Sequence, residues 1–269
     1  MADFTAKDVQ ALRIATGAGM MDAKRALTEA NGDPKAAMTW LRERGLGKAA
    51  ERSGRGSTQG AVAVSHDSVA NAIALVELRS ETDFGAKSPD FVNLVNELAA
   101  LVASEGEEAV DQRKSAIEDL NIAIKENVQL GEVVRFQPAA GDPVGSYLHV
   151  QNDRGVNGVI VELAGGTQEL AHDIAVHIAF GKPKYLRRED VPDEDVAAER
   201  ATLETSVRLE GKPEAALPKI VEGKLNGWFK RVPGGVLAEQ PFAKDDSQPV
   251  QKILGGASVV RFAQVVIGG

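Results

Sequence analysis

Ala74-Leu75-Val76-Glu77-Leu78 returns 85 residues later as Val159-Ile160-Val161-Glu162-Leu163. Both pentapeptides are apolar and β-branched enough to read as buried strands. Each follows a second strand candidate, residues 61–64 or 147–150, and a polar turn, His66-Asp67-Ser68 or Gln151-Asn152-Asp153-Arg154-Gly155. Each precedes an amphipathic helical pattern, over 91–102 and 170–180. A further match, Val133-Val134-Arg135-Phe136 with Val259-Val260-Arg261-Phe262, has an offset of 126. Four-residue matches are weak singly, but three elements in one order indicate an internal repeat. The expected class is α+β, with two related units of antiparallel sheet backed by helices.

The offsets differ by 41 residues, and residues 191–231 number 41. That segment holds a charged helical pattern with Val196, Leu203 and Val207 as its apolar positions, then the turn Gly211-Lys212-Pro213. A second pattern carries Leu217, Ile220, Val221, Leu225, Trp228 and Phe229. Two helices joined by so short a turn read as an antiparallel hairpin interrupting the second unit. Upstream, the first fifty or so residues read as a three-helix module. Thr5 with Asp8 forms a capping box, and Val9, Leu12 and Ile14 are the apolar residues for the first helix to bury. Thr16-Gly17-Ala18-Gly19 separates it from a second helix with Ala23, Ala26 and Leu27. Asp33 and Pro34 start a third, with Ala37, Trp40 and Leu41. Residues 45–60 have the Gly, Ser and basic composition of a linker, with room for one short helix. The expected domains are therefore 1–53, 54–140, 141–190 with 232–269, and 191–231 for the hairpin.

Composition excludes several function classes. Zero cysteines removes disulfides, thiolate zinc sites and cysteine nucleophiles. A formal net charge of −8 argues against general nucleic-acid binding. No apolar run is long enough to cross a bilayer, and the N-terminus has no signal-peptide pattern, so a cytoplasmic location is expected. No G-x-S-x-G, H-E-x-x-H or C-x-x-C motif occurs. His172 and His177 are five apart, on different helix faces, and read as helix residues rather than metal ligands. Gly17-Ala18-Gly19-Met20-Met21-Asp22 follows a helix where a dinucleotide loop needs a strand. Neither a catalytic site nor a cofactor is implied.

One stretch remains unexplained by packing alone. Ser80-Glu81-Thr82-Asp83-Phe84-Gly85-Ala86-Lys87 links the first buried strand to the helix start Ser88-Pro89-Asp90. Asp83 and Phe84 set a carboxylate beside a phenyl ring in a chain with only 4% aromatic residues. Such a pair can act as a probe, one group for charge and one for wedging. Taken by itself the loop favours the plainer reading, in which Phe84 folds back to cap the core.

The run from Thr16 to Leu27, then Asn31-Gly32-Asp33 and Trp40-Leu41-Arg42-Glu43-Arg44-Gly45, closely resembles the N-terminal module of bacterial elongation factor Ts. Glu81-Thr82-Asp83-Phe84 resembles that family's central signature, and His177-Ile178-Ala179 before Pro183 its second core unit. The resemblance covers essentially the whole chain. It departs at Gly85, where the family more often has valine, which implies a more flexible loop. The chain also stops at Gly268-Gly269, which implies that the C-terminal helical module of longer members is missing.

The resemblance implies a nucleotide-exchange factor for the GTPase elongation factor Tu, not itself an enzyme. It would bind the GDP-bound GTPase, displace magnesium and GDP, and let GTP enter. Thr16, Gly17, Gly19, Met20, Met21 and Asp22 would dock on the partner's nucleotide-binding domain. Thr82, Asp83, Phe84 and Gly85 would intrude near its magnesium site. The second core unit, including His149, and the hairpin would touch other domains. An alternative of another class is a non-catalytic scaffold whose helical module resembles a ubiquitin-associated domain.

Overall fold

The computed structural model describes residues 4–16 and 18–268. Thr5 donates from its N–H and its hydroxyl to the Asp8 carboxylate, each at 2.7 Å. The Asp8 N–H returns to the Thr5 hydroxyl at 3.4 Å, completing the capping box. Helix α1 (Ala6–Thr16) follows, then α2 (Met20–Glu29) and α3 (Pro34–Arg52). Asp33 caps α3 by accepting the Lys35 and Ala36 N–H groups at 2.8 and 3.3 Å. Leu12, Ala23, Ala26, Leu27 and Ala37 form the module's core, with Val9, Trp40 and Leu41 packed against it. Ile14 is not part of it. It is 78% exposed, because a residue two positions from Leu12 points to the other side of the helix.

The first sheet begins with β1 (Gln59–Asp67) and β2 (Ala72–Ser80), paired antiparallel from Gln59↔Ser80 to Asp67↔Ala72. A single helical turn, α4 (Asp83–Ala86), leads to α5 (Pro89–Glu105), which Ser88 caps with Pro89 at its first position. Phe91, Leu94, Val95, Leu98, Ala99 and Val102 line the buried face of α5 at the spacing of an amphipathic helix. They share a core with Ala61, Ala63, Ala74, Val76 and Leu78 of the hairpin. Helix α6 (Lys114–Ile124) and strand β3 (Gln129–Phe136) complete the arrangement, with strand order β1-β2-β3.

Of the stretch expected as a linker with one short helix, residues 45–52 are helical as the end of α3, and β1 begins only at Gln59. A Cβ on Gly45 would lie 2.8 Å from the Ile122 side chain of α6. Glycine there serves close helix packing, and the helix continues through it to Arg52.

The repeat recurs in the second sheet. Strands β4 (Val144–Gln151) and β5 (Arg154–Ala164) are joined by Asn152 and Asp153, both in left-handed backbone with φ 53° and 61°. Two such residues suit the tight turn of a hairpin. Helix α7 (Gln168–Gly181), capped by Thr167, follows. Helices α8 (Asp193–Leu209) and α9 (Leu217–Phe229) then form the hairpin. Short strands β6 (Pro241–Phe242) and β7 (Asp245–Pro249), helix α10 (Val250–Leu254) and strand β8 (Ser258–Val266) end the described chain. The order is β4-β5-β8, so β8 occupies in its sheet the place of β3 in the first. The repeated glutamates are alike too. Glu77 and Glu162 are both buried, paired with Arg79 at 2.8 Å and Arg261 at 2.7 Å.

Contacts divide the chain into residues 1–135 with 149–156 and 265–269, and residues 136–148 with 157–264. Within the latter unit the hairpin is rooted in packing. Val191, Leu225 and Phe229 share a cluster with Val236, and Tyr185, Val196 and Trp228 border it. The Val236 N–H donates to the Phe229 carbonyl at 2.8 Å, and the Arg188 guanidinium lies 4.3 Å from the Phe229 ring centre. Farther out, Val207, Leu217 and Val221 make a separate cluster.

Excising residues 197–224 and bridging the helices with a short glycine linker should therefore preserve a single cooperative melt. Excising all of 191–231 removes three large side chains from the root cluster, each such loss costing about 2–5 kcal/mol. Circular-dichroism melts check both, and equal stability of the two variants would show that the root carries no weight.

Candidate functional site

Thr82 is the N-cap of α4, and its hydroxyl accepts the Gly85 N–H at 3.2 Å. The turn this closes buries Gly85 and Ala86 and sends the side chain between Asp83 and Gly85 outward. Phe84 is 80% exposed. The core-cap reading of Phe84 is thus corrected. A helical turn in place of an open loop puts its ring on the face away from the sheet.

Glu126, just beyond α6, holds the turn. Its carboxylate accepts the Ser80 hydroxyl at 2.6 Å, the Thr82 N–H at 3.0 Å and the Thr82 hydroxyl at 2.6 Å. The bonding is reciprocal, since the Asn127 N–H donates to Glu81 Oε1 at 2.7 Å. Thr82 uses its hydroxyl proton toward Glu126 and a lone pair toward Gly85, so the cap is itself anchored. Partial burial pushes the Glu126 carboxyl up, but the hydrogen bonds from Ser80 and Thr82 outweigh it and hold the group below its ordinary range. A Cβ on Gly85 would stand 2.5 Å from Glu126 Oε2. Gly85 is therefore a point of close approach to the movable end of the Glu126 side chain.

Asp83 is ion-paired with Lys87 one turn along. The Lys87 hydrogen bond is the main cause holding the Asp83 carboxyl below its ordinary value; desolvation opposes it, and the positive fields of Lys87 and Arg154 add to it. Lys87 also lies 5.5 Å from the centre of the Phe84 ring, within cation–π range. The probe is thus a ring, a carboxylate and an ammonium held together on one turn.

The remaining predicted residues lie elsewhere on the surface. Met20 and Met21 open α2 and are 62% and 74% exposed. Gly19 is exposed as the N-cap of α2, Asp22 is half-buried in its first turn, and Gly17 lies outside the described residues. Thr16 ends α1, its hydroxyl donating to the Leu12 carbonyl at 2.6 Å and accepting the Ala18 N–H at 3.3 Å. His149 is exposed near the end of β4. His172 and His177 are both helix residues. His177 is buried, its Nε2 bonded to Gln240 Oε1 at 3.0 Å and its Nδ1 accepting the Ala243 N–H at 3.1 Å. Burial, opposed by the Gln240 bond, holds its pKa down.

Comparison with known proteins decides the family. The elongation factor TS family model matches residues 81–269. Elongation factor Ts of Clavibacter sepedonicus is 43% identical over 282 residues, and that of Streptomyces griseus subsp. griseus 44% over 282, each covering all of both chains. Elongation factor Ts of Streptomyces coelicolor is 42% identical over 286 residues, again across both whole chains. The chain belongs to the elongation factor Ts family. It is accordingly a translation elongation factor. Among the described residues, no helix of this family member is long and apolar enough to cross a membrane.

Sequence reasoning had no route to Glu126, which lies 44 residues from Thr82 in a segment with no motif of its own. Lys87 does carry a local signal, since its i,i+4 spacing from Asp83 is a recognised pairing pattern.

Phe84→Ala should move stability by less than about 0.5 kcal/mol, as exposed sites do, measured by thermal or denaturant unfolding. The Asp83 carboxyl should titrate below its ordinary value, so its pairing is present above that value and lost as pH falls through the lowered one. Carboxyl NMR should show Lys87→Met returning the midpoint toward normal, and an unchanged midpoint would contradict the pairing.

Proposed function

We propose that this chain is a guanine-nucleotide exchange factor for elongation factor Tu, acting on that GTPase without being an enzyme. The observation that carries the reading is Phe84, an exposed ring on an anchored turn. A GTPase holds GDP through backbone amides, a lysine and a magnesium ion bridging phosphate oxygens. A phenyl ring can wedge between the elements that position that shell without competing for the phosphates. Asp83 brings a carboxylate to a metal–phosphate centre, where it can compete for the magnesium's partners. Since Lys87 already pairs it, Asp83 contributes less than Phe84.

Docking falls to Ile14, Met20 and Met21, apolar side chains exposed on one small module. Exposed apolar groups of this size suit a protein interface. Thr16, Gly17, Gly19 and Asp22 flank them, and His149 with the hairpin supplies contacts to other parts of the partner. The docking module is taken as 1–53, the core units as 54–140 and 141–190 with 232–269, and the arm as 191–231. Exchange is reciprocal: the factor by which this chain loosens nucleotide is the factor by which nucleotide loosens this chain. Many contacts sustain the nucleotide-free partner, and incoming GTP breaks them. Neither a cofactor, nucleic acid nor membrane enters this scheme, which takes place in the cytoplasm with the translation machinery.

Stopped-flow release of fluorescent GDP from the purified GTPase tests the proposal. The chain should accelerate release, and Phe84→Ala should lower the maximum rate with little change in the half-saturating concentration. Removing residues 1–53 should raise the half-saturating concentration instead. An unchanged release rate with the intact chain would favour the scaffold reading.

A further inference from the structure

The turn that carries Phe84 is fixed at its far end by Ala86, buried in the core of the first sheet, and at its near end by the Glu126 carboxylate. Ser80 ends β2 and is fully buried, so it is a fixed point. Glu126 bridges that fixed point to both the N–H and the hydroxyl of Thr82, at 2.6, 3.0 and 2.6 Å. Thr82 in turn caps α4. The chain of contacts is unbroken from sheet to Ser80, Glu126, Thr82 and the Phe84 turn. Gly85 presses against the same carboxylate, where any Cβ would sit 2.5 Å from Oε2.

We propose that Glu126 is a positioning residue for exchange. The inference rests on the exchange reading above and adds a residue that acts through Thr82. Hydrogen bonds to a charged group are stronger than neutral ones, so this one acceptor fixes the start of a turn whose end Ala86 anchors in the core. Phe84 then meets the GTPase without first being ordered.

The test uses the full chain with Glu126→Ala and Glu126→Gln. Hydrogen exchange over residues 80–88 of the free protein reads the anchor directly, whatever the function. Glu126→Ala should speed it by about tenfold there and leave α5 and α7 protected, as expected when a local hydrogen-bonded unit opens without global unfolding. In the GDP-release assay its maximum rate should drop on the order of tenfold, the scale of loss from misplacing a group by a fraction of an ångström. The half-saturating concentration should stay put, which a merely destabilised protein would not show. Glu126→Gln should be intermediate, because its amide presents N–H where Ser80 and Thr82 also donate. Unchanged protection and release in Glu126→Ala would overturn the proposal. If the wild type fails to accelerate release while Glu126→Ala still loosens 80–88, the exchange reading falls and the anchor stands.

Discussion

A phenyl ring kept in water must be held there by something stronger than its own tendency to bury. Burying such a side chain is worth about 1.5–3 kcal/mol, so a slack loop would let Phe84 collapse onto the protein. The Glu126 carboxylate, accepting bonds from Ser80 and Thr82, prevents that by fixing the turn's first residue. The wedge role proposed for Phe84 depends on this constraint. The sheet gives Ser80 its position, α6 delivers Glu126, and the Thr82 cap sets the direction in which the ring points.

The duplicated architecture explains where that rigidity comes from. Each sheet pairs a hairpin with a third strand, and each hairpin's second strand buries a glutamate partnered by arginine. In the first copy the strand ends at Ser80 and runs into the Phe84 turn. In the second, β5 ends at Ala164 and passes through Gly165, Gly166 and Thr167 into α7. One scaffold thus carries two different edges: an exposed aromatic turn in one unit and, in the other, a helical hairpin rooted on Phe229 and Val236.

What the sequence made legible followed from periodicity and local capping. The α+β class, the repeated strands, the Thr5–Asp8 box, the Asp33 cap and the paired helices of the insertion all rest on neighbours within a turn or on the strand period. Ile14 and the stretch after Gly45 went differently. A helix has more apolar residues than its buried face can use, and glycine marks close packing as readily as flexibility. Phe84 turned on whether Thr82 to Ala86 would close as a helical turn, and that depended on a carboxylate brought in from α6 by the fold. Contacts of that kind leave no local mark, and the Met20-Met21 pair is legible only through the family resemblance.

A photoreactive phenylalanine analogue at position 84 probes the central claim most directly. Mixed with nucleotide-free elongation factor Tu and illuminated, it should cross-link to the GTPase's nucleotide-binding domain, beside the magnesium site. Saturating GDP with magnesium should suppress the cross-link, because coupling between nucleotide and exchange factor runs both ways. A cross-link to another domain, or one that persists undiminished at saturating GDP and magnesium, would contradict the account.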